Sequence, residues 1–304
     1  MNQQFVMWSA CVIVALTVAC GRSQPPASAP ATVPATAPAG DDWPAFRGGG
    51  AISRIASDLP APPMKLRWTY VANEKARAAI EGAPVIAGDS VYVADADGIV
   101  HAIDLATGKS RWTYEAKDAA FETTPLIVGD KLFVGDLNGV MHAISTKDGS
   151  KLWTHDCESP IHSSANSAGD RIIYGAENAD VICLGLDGKE LWKSASGDRV
   201  NSAPAIANGL AYVSGCDGAL RAFDIQTGKQ KFAADLPALT GGSPCIVGDR
   251  AFIGTDTGYI VAMGADGKKK PLWEFDKVED QQMVYSTPAA ADGIVVAGAR
   301  DRNI

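Results

Sequence analysis

The chain has 304 residues, with 27 Lys and Arg against 35 Asp and Glu, a formal net charge of −8 and an isoelectric point near 5.0. That acidic balance excludes a nucleic-acid groove, which needs clustered basic residues. The six cysteines form no CxxC, CxxCH or adjacent pair, so the sequence gives no support to a zinc knuckle, covalent haem or a vicinal disulfide.

Residues 1–20 are expected to form a secretory signal. Phe5 to Ala19 is an apolar stretch too short for a comfortable membrane span, and Cys20 follows it. Leu16-Thr17-Val18-Ala19-Cys20 resembles the lipobox of bacterial lipoproteins, whose cysteine is acylated after cleavage. No Lys or Arg precedes the run, however, and Thr17 stands where Leu is usual. Ordinary secretion and a plain transmembrane anchor are the other readings. Residues 21–40 are almost wholly Pro, Ala, Ser and Thr; they cannot bury enough apolar surface to order themselves and read as a tether with polyproline character. The folded domain is expected over 41–304, opening near Trp43.

One phrase then recurs. After a lone MKLRW ending at Trp68 come AIDLATGKSRW to Trp112, AISTKDGSKLW to Trp153, LGLDGKELW to Trp192, AFDIQTGKQKF to Phe232 and MGADGKKKPLW to Trp273. The closing aromatics lie 44, 41, 39, 40 and 41 residues apart. A fixed period near 40 made of strand and turn signals predicts an all-β propeller with one four-stranded blade per repeat. Each repeat opens on a small residue and Pro, as at Thr124-Pro125 and Ser243-Pro244, except for Ser164-Ala165 in the third. A Gly-Asp or Asn-Gly hairpin follows, then a nearly unbroken apolar run such as VYVA after Ser90 or LFVG after Lys131, the mark of a strand covered on both faces. The third strand keeps one position small (Ala102, Ala143, Cys183, Ala222, Ala262), which predicts a bulky neighbour against it, the end-of-repeat Trp. Five whole blades and part of a sixth are expected. Trp68 is read as an orphan fourth strand whose partners belong to a C-terminal continuation, in a parent of seven or eight blades. A six-blade ring lacking one strand would leave an unpaired edge.

Blade geometry places the residues shortly before each innermost strand at the mouth of the central channel. By alignment these are Glu81, Glu122, His162, Asn201, Gly241 and Tyr285, a set of carboxylates, imidazole, amide and phenol able to form a polar binding site. A wet mouth is polar whatever its function. The turns on that face add Asp97, Asn138, Asn178, Asp217, Asp256 and Asp301, residue types that tight turns favour in any case. No DxDxDG loop occurs, so no metal site is expected. His101 and His142 occupy one repeat position, and His155 is expected to face solvent. Lys109, Lys189, Lys229 and Lys268 to Lys270 read as solvated turns. Cys157, Cys183, Cys216 and Cys245 fall in different blades, and their spacing fixes no pairing.

The A-x-D-x-x-TGK-x-x-W phrase, clearest at Ala102 to Trp112 and Ala222 to Phe232, resembles the tryptophan-bearing repeat of pyrroloquinoline-quinone-type (PQQ-like) β-propellers. Trp43-Pro44-Ala45-Phe46-Arg47-Gly48 is similar to a WPxFRG stretch ahead of many such propellers, with no physical role beyond an anchor packed on the ring. In the quinoprotein dehydrogenase branch, the resemblance implies PQQ and calcium at the mouth. Only Glu122 and Asn201 match that branch's calcium ligands by type, and its vicinal cysteines are lacking. The other branch is the BamB-type outer-membrane assembly lipoprotein, a non-catalytic scaffold with a lipidated Cys, a tether and short loops, all of which this chain shares.

The expected protein is therefore a monomeric, cofactor-free platform for envelope proteins. It would sit in the periplasm or at the cell surface, anchored to the outer membrane by a lipid on Cys20. The alternatives are a small PQQ-dependent alcohol dehydrogenase and a carbohydrate- or polymer-binding propeller using Tyr285, Trp43 and the acidic mouth.

Overall fold

The computed structural model describes residues 42–54, 63–73, 79–268, 270–276 and 282–300. The expected signal, the tether and Cys20 lie outside the described residues, as do Lys269 and Asp301. Five antiparallel four-stranded sheets follow one another. The first holds β1 (Val85–Ala87), β2 (Ser90–Ala94), β3 (Ile99–Asp104) and β4 (Ser110–Glu115), and the second β5 (Leu126–Val128), β6 (Lys131–Gly135), β7 (Val140–Ser145) and β8 (Lys151–Asp156). The third holds β9 (Asn166–Ser167), β10 (Arg171–Gly175), β11 (Asp180–Gly185) and β12 (Glu190–Ala195), and the fourth β13 (Ala205–Ala207), β14 (Leu210–Ser214), β15 (Ala219–Asp224) and β16 (Gln230–Asp235). The fifth has β17 (Cys245–Val247), β18 (Arg250–Gly254), β19 (Ile260–Gly264) and β20 (Trp273–Phe275), and a sixth unit pairs β21 (Ala289–Ala291) with β22 (Ile294–Val296). First strands of consecutive sheets touch, from β1 through β5, β9, β13 and β17 to β21. The sheets are thus propeller blades with their first strands innermost, as the repeat period requires.

Every blade shows its neighbour two different faces. In blade 2, Leu126, Phe133, Ala143 and Trp153 are cross-strand partners on one face, which packs on Ile172, Tyr174, Ile182 and Leu184 of blade 3. The small third-strand residue is small because the aromatic of the neighbouring strand in its own blade lies beside it. The indole then reaches onward. Trp112, Trp153 and Trp192 donate their Nε1–H to the carbonyls of Thr146, Leu186 and Ile225 in the next blade, at 3.0, 3.1 and 2.8 Å. A glycine in the turn beneath each ring makes room. A Cβ on Gly188, whose φ of 87° already favours glycine, would lie 2.7 Å from the Trp153 ring.

Trp68 docks in the same way, with Nε1 3.0 Å from the Leu105 carbonyl, and with Tyr70 it covers Val91, Val93 and Ile103. Residues 63–73 form no ladder with any described strand. His155 departs from expectation: its side chain is 18% exposed, with Nδ1 3.3 Å from the Tyr174 hydroxyl and Nε2 3.5 Å from Glu190.

The WPAFRG segment has a definite role. Trp43 exchanges two backbone hydrogen bonds with Ile86, and the Ile127, Ile206 and Ile246 amides donate to the carbonyls of Pro44, Gly50 and Ala51 at 2.7, 2.7 and 2.9 Å. Arg47 donates to the Thr287 carbonyl. In blade 3 the buried Asn166 side chain substitutes for a strand residue, accepting from the Gly50 amide and donating to the Gly50 carbonyl. One short segment therefore crosses the innermost strands of blades 1 to 5, reaches the sixth unit through the Arg47 side chain, and satisfies edge groups that would otherwise face the channel. Ile52 ends it, fully buried at a φ of 56°, an unfavourable conformation for a β-branched residue that its burial in the core between blades 4 and 5 enforces.

A ring of hydroxyls ties the blades above this segment. The amides of Ala83, Thr124, Ala203 and Ser243 donate to the side-chain oxygens of Thr124, Ser164, Ser243 and Thr287 in the next blade. The residue before each Pro thus links blades as well as opening a strand.

Trp153→Ala should cost about 3 kcal/mol, and Gly188→Ala should also destabilise by pushing on the same ring, both read from urea midpoints. Unchanged midpoints would remove the docking account. Asp104 and Asp224 sit in equivalent turns, each held down to about 2: Asp104 first by the Thr107 hydroxyl and then by Arg111, Asp224 first by Lys231 and then by Thr227. Their contribution is complete above the unfolded carboxyl value of about 4 and is lost as pH falls towards 2. Replacing both by Asn should flatten the fall in melting temperature across that window, and an unaltered acid limb would contradict the assignment.

Candidate functional site

The mouth is built by a repeated backbone device. In every unit the residue opening the turn after the second strand donates its amide to a carbonyl shortly before the first strand: Ala96 to Ala79, Leu137 to Ala120, Glu177 to Pro160, Cys216 to Arg199, Asp256 to Leu239 and Arg300 to Met283. These bonds measure 2.9 to 3.3 Å. They set two side-chain rings against each other, one being the aligned set Glu81, Glu122, His162, Asn201, Gly241 and Tyr285. The other is Ala96, Leu137, Glu177, Cys216, Asp256 and Arg300.

Blades 2 and 3 hold a filled example. His162 Nδ1 lies 2.8 Å from Glu122 Oε2 of the preceding blade, and its Nε2 lies 3.4 Å from Glu177 Oε1 in its own turn. Imidazole and carboxylates are each about one-third exposed, at 29%, 32% and 33%. Glu177 was not singled out by sequence reasoning, although equal offsets from the aligned strands give its position. Blades 4 to 6 are arranged differently. Asn201 Oδ1 and Asp256 Oδ1 are both buried with no hydrogen-bond partner, and exposed Gly241 lies between their positions in the repeat. Tyr285, 42% exposed, leans towards Gly241 and carries the Arg300 guanidinium 5.3 Å from its ring centre. Glu81 is exposed, with no hydrogen bond or ion pair bringing it to the others.

The remaining turn residues serve the turns. Asn138 donates to the Asp118 carbonyl, Asn178 bonds Asp180, and Asp217 pairs with Arg221. Asp256 is aligned differently from the sequence reading: Thr255 takes the place of Asp95, so Asp256 matches Ala96 and Glu177 rather than Asp97. His101 and His142 each sit between a buried Asp and a tyrosine of the preceding repeat. Nε2 lies 2.9 Å from Asp95 and 3.0 Å from Asp136, and Nδ1 lies 3.0 Å from Tyr70 and Tyr114. Burial and then the Asp136 charge raise the Tyr114 phenol above its ordinary value. These are interblade ties, away from the mouth. Burial likewise pushes up the Cys216 thiol.

The residues do not fit PQQ with calcium. Glu122 is engaged by His162, Asn201 stands two blades away, and the four described cysteines are free and lie in different repeats. Among the described residues no three His, Cys, Asp or Glu side chains are grouped to hold a metal.

This geometry defines a β-propeller whose axis is crossed by its own chain below an open polar mouth. Residues 65–167 and 137–297 match the family described as outer membrane protein assembly factor BamB, and the chain belongs to that family. It is 32% identical over 197 residues to the outer membrane protein assembly factor BamB of Burkholderia pseudomallei, covering 63% of this chain and 41% of that protein. The chain spans about half the length of the curated relatives it matches. Among solved structures, BamB from Moraxella catarrhalis superposes with a TM-score of 0.64 at 20% identity, over 72% of this chain and 71% of that one. Quinohemoprotein alcohol dehydrogenase from Comamonas testosteroni gives 0.68 at 17% identity, over 80% and 50% of the respective chains. At such identities these two likenesses show the fold alone.

Glu122→Gln is expected to change stability by less than about 1 kcal/mol, because ion pairs at partly exposed side chains contribute little. Asp136→Ala should cost about 3 kcal/mol, since it strands His142 and the Asn138 and Val140 amides in the interior. Urea unfolding of the two variants compares them directly, and the reverse order would exchange the roles given to mouth and interblade tie.

Proposed function

We propose that this chain is a non-catalytic docking platform of the bacterial envelope, acting in outer membrane protein assembly as its relatives' name describes. A lipid on Cys20 would hold it at the outer membrane, and residues 21–40 would let the propeller reach its partners. The observation that carries this reading is the segment from Trp43 to Ala51 bonded across the innermost strands. Its bonds to Ile86, Ile127, Ile206 and Ile246 lay it across the first strands, which are the innermost ones. Links between blades such as 116–125 and 157–165 are too short to wall a pocket at the mouth, and redox chemistry on a bound cofactor needs water kept out. Protein recognition needs no such enclosure, because exposed loop ends supply polar contacts on a rigid frame.

The test adds PQQ and calcium to the full chain while following tryptophan fluorescence, alongside crosslinking in envelopes. The platform reading expects no saturable quenching and crosslinks to outer-membrane assembly proteins. Calcium-dependent micromolar quenching would replace it with the dehydrogenase reading. Cys20→Ser should release the protein from membranes, and full retention of that variant would remove the lipid anchor.

A further inference from the structure

Tight turns favour Asp at either end of a propeller, so acidic turns alone carry no message. The two ends of this ring nevertheless treat their carboxylates differently. At the end away from the mouth the turns carry Lys and Arg beside their acids, and Asp104 pairs with Arg111, Asp170 with Arg171 and Asp224 with Lys231. At the mouth end Asp97, Glu115, Asp118, Asp156, Glu158 and Asp235 are all exposed, and none is ion-paired among the described residues. From blade 1 to blade 5 the only Lys or Arg in the links and turns of this end are Lys117 and Arg199, and Arg199 already faces Asp198 at 4.0 Å. Negative charge is thus concentrated at one end of the ring. That end also exposes apolar side chains. Leu239, whose carbonyl accepts the Asp256 amide, is 48% exposed, and Tyr285 beside Gly241 is 42% exposed.

We propose that the mouth end is the docking surface for a basic polypeptide segment that carries an apolar side chain among its lysines or arginines. Its positive charges face the unpaired carboxylates of the links, and its apolar group packs on Leu239 and Tyr285. Uncompensated charge at one end steers a cationic partner onto that end and turns an anionic one away, while apolar contact fixes where the partner stops. The opposite end, with its acids paired, has no such field. This rests on the platform reading above and adds to it the partner's chemistry and the end of the ring that the partner meets.

The full chain is titrated by two-dimensional NMR with acetyl-Lys-Leu-Lys-Tyr-Lys-amide and, as its charge-reversed counterpart, acetyl-Glu-Leu-Glu-Tyr-Glu-amide. The basic peptide should shift the Asp118, Glu158 and Leu239 amides saturably and leave those of Gly129, Gly188 and Gly228 at the other end unmoved. The acidic peptide should shift neither set. Asp118→Asn combined with Glu158→Gln should weaken the basic peptide about fivefold without changing the melting temperature, because both side chains are exposed. Leu239→Ser should weaken it about threefold. Asp130→Asn combined with Asp170→Asn, at the other end, should leave its affinity unchanged. Shifts spread over both ends, equal response to the two peptides, unchanged affinity in the Asp118 and Glu158 double variant, or no response in the wild type would each overturn the proposal. Crosslinks to envelope proteins that persist undiminished in that double variant would overturn the acidic docking surface alone, whereas their absence from the wild type would overturn the platform reading itself.

Discussion

The docking of each blade-end aromatic into the glycine turn of the following blade is the constraint on which the architecture depends. A four-stranded blade is apolar on both faces and cannot cover either by itself. The indole fills the gap at the outer end of the wedge between blades, and its N–H fixes the blades' relative height through one carbonyl. The fourth blade tests this logic within the molecule. Phe232 has no N–H to give, and the Tyr212 hydroxyl bonds the Ala265 carbonyl at 3.1 Å instead. Ala265 is the turn residue equivalent to Ile225, so the bond is kept although the donor has moved to the second strand.

The inner end of the wedge is held differently. Near the axis the strands are short and their side chains crowd, leaving little apolar area to bury, and polar links take over. The hydroxyl ring joins neighbours pairwise, while the 43–52 segment reaches every unit at once. Bonds of the second kind join residues far apart in sequence, as in Arg47 to Thr287, so they form only when the ring is largely assembled. Local hairpins and aromatic docking come from near neighbours, and the crossing segment then closes the axis.

The blade pattern was legible because turn chemistry and aromatic spacing are carried by side chains that recur. The equivalence of the pre-strand positions was legible for the same reason, since they keep one offset from the inner strands. Three features were not. The crossing segment was read as an anchor packed on the ring, but its course was not legible because most of its bonds to the inner strands are made by backbone groups, which leave no side-chain signature. Glu177 sits at a position that carries Ala96, Leu137, Cys216, Asp256 and Arg300 in the other units, so no common residue type marked it. Asp256 was set one place out because acidic residues recur in these turns, and only strand pairing shows that Thr255 has the part of Asp95, its Oγ1 accepting the Tyr259 amide.

Repetition fixes the frame of this protein and departures from it mark where binding can reside. The turn-to-strand bond is the same in every unit and therefore says nothing of function. What varies is the pair of side chains it brings together. In blades 2 and 3 the His162 imidazole joins Glu122 and Glu177, so those groups satisfy one another. Where the same offset carries Gly241 no side chain is supplied, and the Tyr285 ring of the next unit leans towards it with Arg300 over its face. The backbone is held in common while the chemistry of each blade's end is set by the side chains it carries.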